Sequence, residues 1–227
     1  MAGHDTTCWT VIRGAAAGDR DDRDLFARRY EPVVRAYLAA RWRGSPHRQD
    51  IDDAVQEVFT DCFRPGGALE RLDPGRPGGF RAFLYGVTRT VALRVEAGQV
   101  RGKERTPSND SDLDQVAGTE TRASVAFDRA WAQAVLREAA ERQATQAEQA
   151  GAAARRRVEL LRLRFHEGLP VREIARLWGC DPDAVHREYA RARHEFKTAL
   201  AEVVASHHPA TPIDVERECA GLLALLK

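Results

Sequence analysis

Apolar residues recur along this chain at intervals of three and four, and strand-like alternation is absent. That spacing belongs to amphipathic helices. It predicts helical segments at about 22–43, 50–63, 80–100, 124–150, 154–166, 171–178, 182–204 and 213–226. Two stretches interrupt the pattern. Residues 64–79, RPGGALERLDPGRPGG, form a turn-rich loop, and residues 102–121, GKERTPSNDSDLDQVAGTET, have the polar composition of a linker. A shorter break runs from Ser206 to Pro212. The expected architecture is all-α: an N-terminal extension at 1–21, a helical domain at 22–101, an acidic linker at 102–122, a second helical domain at 123–205 and an amphipathic tail at 206–227.

Composition narrows the function classes. The chain has 227 residues, 43% hydrophobic and 30% charged, which suits a folded soluble protein and argues against disorder. Thirty-five Lys and Arg against 34 Asp and Glu leave a net charge of +1, so whole-chain charge identifies no partner. Its distribution says more. Residues 71–105 hold eight basic side chains and three acidic ones, whereas 106–150 hold four basic and eight acidic. A basic segment beside an acidic one suits local contact with a polyanion. Four scattered cysteines, Cys8, Cys62, Cys180 and Cys219, make no CxxC pair, so a reducing cytoplasm without disulfides is expected. Neither a secretory leader nor a membrane span is visible, so no membrane insertion is expected. The seven histidines and four cysteines never reach ligand spacing, and neither a metal nor another cofactor is expected.

The sharpest local pattern lies near the C-terminus. Gly168-Leu169-Pro170 breaks one helix, VREIARLW (171–178) forms a short one, and Gly179-Cys180 turns the chain. Asp181 can cap the next helix, and Pro182 fits its first turn, where an N–H is dispensable. Ile174, Ala175, Leu177 and Val185 supply apolar contacts within the pair. This is helix-turn-helix spacing, which holds a second helix where its outward side chains reach a major groove. Candidates on that helix are Asp183, His186, Arg187, Tyr189, Ala190, Arg191 and Arg193. A plain helical hairpin has the same spacing.

Two further stretches carry candidates. In IDDAVQEVF (51–59) and the following Asp61-Cys62-Phe63, Ile51, Val55, Val58, Phe59 and Cys62 share one helical arc. Asp52, Asp53, Gln56, Glu57 and Thr60 share the other, an acidic, amide-bearing face suited to a basic partner. In FRAFLYGVTRTVALRVEAGQVRGKER (80–105), Phe80, Phe83, Leu84, Val87, Val91 and Val95 follow the core spacing. Arg81, Tyr85, Arg89, Arg94, Arg101, Lys103 and Arg105 fall mainly away from it, as arginines and aromatics do where single-stranded nucleic acid is held.

In this order the patterns resemble bacterial RNA polymerase sigma factors of the extracytoplasmic-function type, within the sigma-70 family. LFARRYEPVVRAYLAARW (25–42) resembles the opening helix of sigma region two, and DDAVQEVF (52–59) the family's D-A-x-D-x-x-Q-E-x-F helix. Residues 68–92 are similar to the stretch that melts and reads the minus-ten element, and residues 158–196 to region four, which reads the minus-thirty-five element. The resemblance implies that Asp52, Asp53, Gln56 and Glu57 meet the beta-prime clamp coiled coil of core RNA polymerase. It implies that Arg81, Tyr85, Arg89, Thr90 and Arg94 serve the minus-ten side, with a flipped base in the 64–79 loop. Asp183, His186, Arg187, Tyr189, Arg191 and Arg193 would face upstream DNA. The implied partners are core polymerase, through that coiled coil and the beta flap, and promoter DNA, with room for an anti-sigma factor. No catalytic residue is implied.

The chain departs from the family pattern at named positions. Arg89-Thr90 stands where Arg-Asn is usual, Phe83 where tryptophan is common, and Pro170 where a serine caps the turn motif. AVHREYARAR (184–193) is less basic than the usual recognition helix. The tail, with Ile213, Val215, Cys219, Leu222, Leu223, Leu225 and Leu226 in an amphipathic helix, is expected to pack on region four; the other reading is that it covers a DNA or partner surface. Two other function classes fit the same sequence. One is a stand-alone helix-turn-helix regulator, which leaves the 52–59 face without a purpose. The other is an all-helical magnesium-dependent nucleotide hydrolase using Asp52, Asp53, Glu57, Glu138 and Glu141, since hard cations need clustered oxygen ligands.

Overall fold

A computed structural model describes residues 8–73, 78–100, 111–207 and 212–225. The candidates Arg101, Lys103 and Arg105, residues 74–77 of the loop and residues 102–110 of the expected linker lie outside that set. Among the described residues the chain is all-α. Its helices are α1 (Cys8–Ala17), α2 (Arg20–Arg41), α3 (Ile51–Phe63), α4 (Gly79–Val100), α5 (Ser111–Ala150), α6 (Ala152–Phe165), α7 (Val171–Trp178), α8 (Pro182–His207) and α9 (Pro212–Ala224). Two compact units result: Met1–Ala134 with Ala205–Lys227, and Val135–Val204.

The first unit is organised by aromatic residues on α2. Phe26, Tyr30, Val33, Val34, Tyr37 and Leu38 are fully buried, and they recur at the three- and four-residue spacing that makes one helical face. Phe26 and Tyr30 both meet Phe80 of α4, at ring separations of 5.7 and 4.9 Å. Asp19 caps α2 by accepting from the Asp22 N–H at 2.9 Å. Arg23 donates to the backbone carbonyls of Ala15 and Phe63, both at 2.9 Å, and so joins the ends of α1 and α3.

Three segments differ from the sequence expectation. Helix α1 lies inside the expected N-terminal extension; its buried Val11, Ile12 and Ala15 are too few to give a period by themselves. Helix α5 begins at Ser111, so residues 111–122 of the expected linker are helical. Their acidic, apolar-poor composition reads as a tether. The following turns anchor the helix through buried Ala123, Phe127 and Trp131. Finally, the tail belongs to the first unit and not, as expected, to the second. His207 is buried there, with Nε2 3.1 Å from the Tyr30 hydroxyl and its ring 5.3 Å from Trp131. Helix α9 buries Val215, Cys219 and Leu222 but leaves Leu223 exposed.

The second unit centres on Leu160, Leu163, Ile174, Ala175 and Val185, which lock α6, α7 and α8 together. Between α7 and α8 the chain passes through Gly179 at φ +61°, a left-handed conformation that costs a side-chain-bearing residue about 1–2 kcal/mol. Asp181 Oδ1 accepts from the Asp183 N–H at 3.2 Å, the expected cap. Leu177, expected among the apolar contacts of the pair, is instead 65% exposed. Arg156 lies over Trp178 on this unit, 4.4 Å from the ring centroid.

Candidate functional site

Helix α3 follows a short 3-10 turn, Pro46–Asp50, which Ser45 opens by accepting from the His47 N–H at 3.3 Å. Ala54, Val55, Val58 and Cys62 bury one face of α3, while Asp52, Asp53 and Gln56 are exposed and Glu57 is half-buried. The four acidic and amide candidates therefore lie on the side away from the core. Asp52 is held by Arg35 at 2.6 Å, and Glu57 by Arg94 of α4.

Helix α4 buries Phe80, Leu84, Thr88, Val91 and Ala92, with Phe83, Val87 and Val95 half-buried at the edge of that stripe. Arg89, Thr90 and Arg94 are exposed, and Arg81 and Tyr85 are half-buried. The Thr90 hydroxyl donates back to the Gly86 carbonyl at 2.8 Å. The loop before α4 folds tightly where it is described: Gly67 N–H donates to the Arg64 carbonyl at 2.8 Å, and a Cβ at Gly67 would sit 2.5 Å from that oxygen.

Every charged candidate of α4 has a carboxylate partner. Arg81 pairs with Asp128 at 2.5 Å, Arg89 with Glu120 at 3.4 Å, and Arg94 with Asp61 at 2.8 Å as well as with Glu57. Glu120 of α5 is the centre of this arrangement. It also accepts from the hydroxyls of Tyr85 and Tyr37, the latter at 3.1 Å, and pairs with Arg41. The Arg41 guanidinium, 6% exposed, holds Glu96 at 2.7 and 2.9 Å, and the Trp42 indole N–H adds a third bond to Glu96 at 2.8 Å.

Electrostatics follow from these contacts. Burial pushes Glu120 upward, but the Tyr85 hydroxyl, Arg41 and the Tyr37 hydroxyl outweigh it and leave its carboxyl below the usual value. Glu96 is likewise lowered, the bonds from Arg41 and Trp42 exceeding its burial. Tyr85 is raised, by burial first and then by its bond to Glu120.

Neither Glu120 nor Asp128 was identified from the sequence as a site residue. They stand two helical turns apart beside the apolar Ala123 and Phe127, a spacing that places them on α5 but does not say which helix they face. The buried Arg41 gave no signal, because nothing in a helical wheel separates a buried arginine from an exposed one.

On α8, Asp183, His186, Arg187, Ala190, Arg191 and Arg193 are exposed, and Tyr189 is half-buried against the α6–α7 core. Arg193 lies 5.8 Å from the Tyr189 ring centroid. Arg191 is drawn to Glu188 at 2.8 Å, and Glu188 also receives Arg157 at 3.3 Å. The carboxylates required by the hydrolase reading divide between the units, Asp52, Asp53 and Glu57 in one and Glu138 and Glu141 in the other. Among the described residues no three His, Cys, Asp or Glu side chains are grouped to hold a metal ion.

Comparison with known proteins shows the family. Residues 26–105 match the sigma-70 region 2 family, a stretch that takes in most of α2 and all of α3 and α4. The chain is 30% identical over 205 residues to the ECF RNA polymerase sigma factor ShbA of Streptomyces griseus subsp. griseus, covering 87% of this chain and 96% of that protein. With a relative matched over nearly its whole length and the region-two helices in their expected order, the chain belongs to the ECF sigma factors of the sigma-70 family.

Proposed function

We propose that α3 is the face with which this sigma factor clasps core RNA polymerase, and that α4 and α8 are two separate grips on promoter DNA. As a member of its family the chain directs transcription initiation with RNA polymerase; sigma factors are not a known class of enzyme. The observation that carries the finer reading is the split character of α3: Val55, Val58 and Cys62 are buried while Asp52, Asp53 and Gln56 face solvent. A polar outer face is ordinary for a surface helix; what supports the reading is that this one gathers acids and an amide suited to a basic partner. The clamp coiled coil of the beta-prime subunit is the surface proposed to meet it.

On α4, Arg81, Arg89 and Arg94 would hold phosphates, with Tyr85 and Thr90 beside them. Phosphate contacts give affinity and salt sensitivity without reading sequence. The 64–79 loop would receive a flipped base, whose unstacking costs a few kcal/mol. On α8, His186, Arg187, Arg191 and Arg193 would approach the upstream major groove, where one bidentate base contact is worth about 1–3 kcal/mol. Exposed Phe165 and Leu177, 69% and 65% accessible, give the region-four body apolar surface for a protein partner such as the beta flap. No described helix is long and apolar enough to cross a membrane, which is compatible with a cytoplasmic site of action. An anti-sigma factor would compete for these same faces.

The test is co-purification with core polymerase. Charge reversal at Asp53→Lys with Glu57→Lys is expected to weaken association at least tenfold, and Arg191→Ala to leave it unchanged while weakening upstream promoter contact. Parental association of the double variant would remove α3 from the polymerase interface.

A further inference from the structure

The α4 groups assigned above to promoter DNA are occupied by the protein's own carboxylates. Glu120 receives Arg89 and the Tyr85 hydroxyl, and Asp128 receives Arg81 at 2.5 Å. Both acids lie on α5, eight residues and so ~12 Å apart along the helix, a spacing that two non-adjacent phosphates of one strand can span. We propose that this two-turn stretch of α5 is an internal stand-in for the DNA backbone, which keeps the free protein from gripping single-stranded DNA. The inference rests on the reading of α4 as the minus-ten face.

Three features make the occlusion more than a chance pair of surface bridges. Glu120 draws on several groups at once, since Tyr37 and Arg41 also bind it. Ala123 and Phe127 between them, and Trp131 just beyond, are buried, so the two acids are presented from a seated helix. Trp131 is in turn stacked on Tyr30 at 5.8 Å and met edge-on by His207 of the tail. Tethered carboxylates seated in this way act at a high effective concentration, and a free strand must compete with them. DNA need not strip α5 from the unit. It has only to exchange carboxylate for phosphate at Arg81, Tyr85 and Arg89, an exchange favoured once polymerase holds the strand nearby.

The experiment uses the full-length chain without polymerase and a short fluorescein-labelled single-stranded DNA oligonucleotide, with binding read by anisotropy. Glu120→Gln with Asp128→Asn is expected to tighten binding about fivefold or more. Freeing two arginines should also steepen the salt dependence by about 1.4 in log–log slope, at ~0.7 per phosphate contact on a single strand. Adding Arg81→Ala with Arg89→Ala to that variant should abolish the gain. A control pair on exposed carboxylates elsewhere, Glu141→Gln with Glu218→Gln, removes the same charge and should leave affinity at the parental value. An equal gain from the control pair would overturn the proposal, as bulk charge would then suffice. Unchanged affinity in the Glu120/Asp128 variant also overturns it, while loss of parental binding on removing Arg81 and Arg89 would leave the minus-ten reading intact. Should removing those arginines change neither background, the minus-ten reading fails too. Thermal unfolding by circular dichroism confirms that each variant is folded, and Asp128→Asn alone repeats the test at Arg81 if the double variant is not.

Discussion

Arg94 and Glu57 are joined by an ion pair between α4 and α3, so a side chain assigned to DNA neutralises one assigned to polymerase. Asp61 holds the same guanidinium at 2.8 Å. The Arg94 side chain is 50% exposed, and solvent-exposed pairs contribute about 0.2–1 kcal/mol. The contact is therefore weak enough for a partner to replace. Glu57→Gln is expected to lower stability by less than about 1 kcal/mol, measured by chemical denaturation. A larger loss would make the pair a structural clasp rather than an exchangeable one.

Arg41 is the opposite case. Its guanidinium is 6% exposed and serves two carboxylates, Glu96 and Glu120. Removing one partner of a buried ionic cluster leaves uncompensated charge and costs about 3–5 kcal/mol. Arg41→Ala should destabilise the first unit by that order, with a marked fall in melting temperature. Arg41→Lys should recover only part of it, because an ammonium cannot reproduce the forked bonds to Glu96.

The same cluster sets a pH response. Glu96 and Glu120 both titrate below the ordinary glutamate value of 4.5 in the folded chain. A carboxyl whose folded pKa is lowered contributes stability that is complete above its unfolded value and is lost as pH falls through the folded one. The melting temperature should carry no contribution to its slope from these two groups above about pH 5, and should fall with acid below about 4.5. In Glu96→Gln that acid-side slope should be shallower than in the parent.

Cys62 offers a check on the packing of α3. Burial, with the Asp61 carboxylate beside it, pushes its thiol up to about 12. A thiolate is the reactive form, so Cys62 should resist alkylation in the folded protein and react on denaturation. Peptide mapping by mass spectrometry separates it from the other cysteines. Rapid native labelling at Cys62 would mean that the α2–α3 interface opens readily.

Much of this architecture could be read from residue spacing. The buried faces of α2, α3 and α4 and the Gly179-Asp181-Pro182 turn each carry a local signal in periodicity or capping chemistry. What escaped notice depends on contacts distant in sequence. Residues 111–122 read as a linker because their polar composition hides the Phe127–Trp131 anchor that follows. The tail's apolar face predicts burial but not the surface it covers, and His207 meets Tyr30 across 177 positions. The α4 candidates were legible by type and spacing. Their carboxylate partners Glu120 and Asp128 were not, since helical spacing on α5 cannot say which helix it crosses.

Run-off transcription with purified core RNA polymerase tests the central claim most directly. Core enzyme alone should give no discrete transcript from a template carrying a promoter mapped in cells that overproduce this chain. Adding the parental protein should yield one start site, and the Asp53→Lys/Glu57→Lys variant should give at least tenfold less product at limiting protein. Transcript levels identical with and without the parental chain, under conditions where another sigma factor is active, would contradict the account.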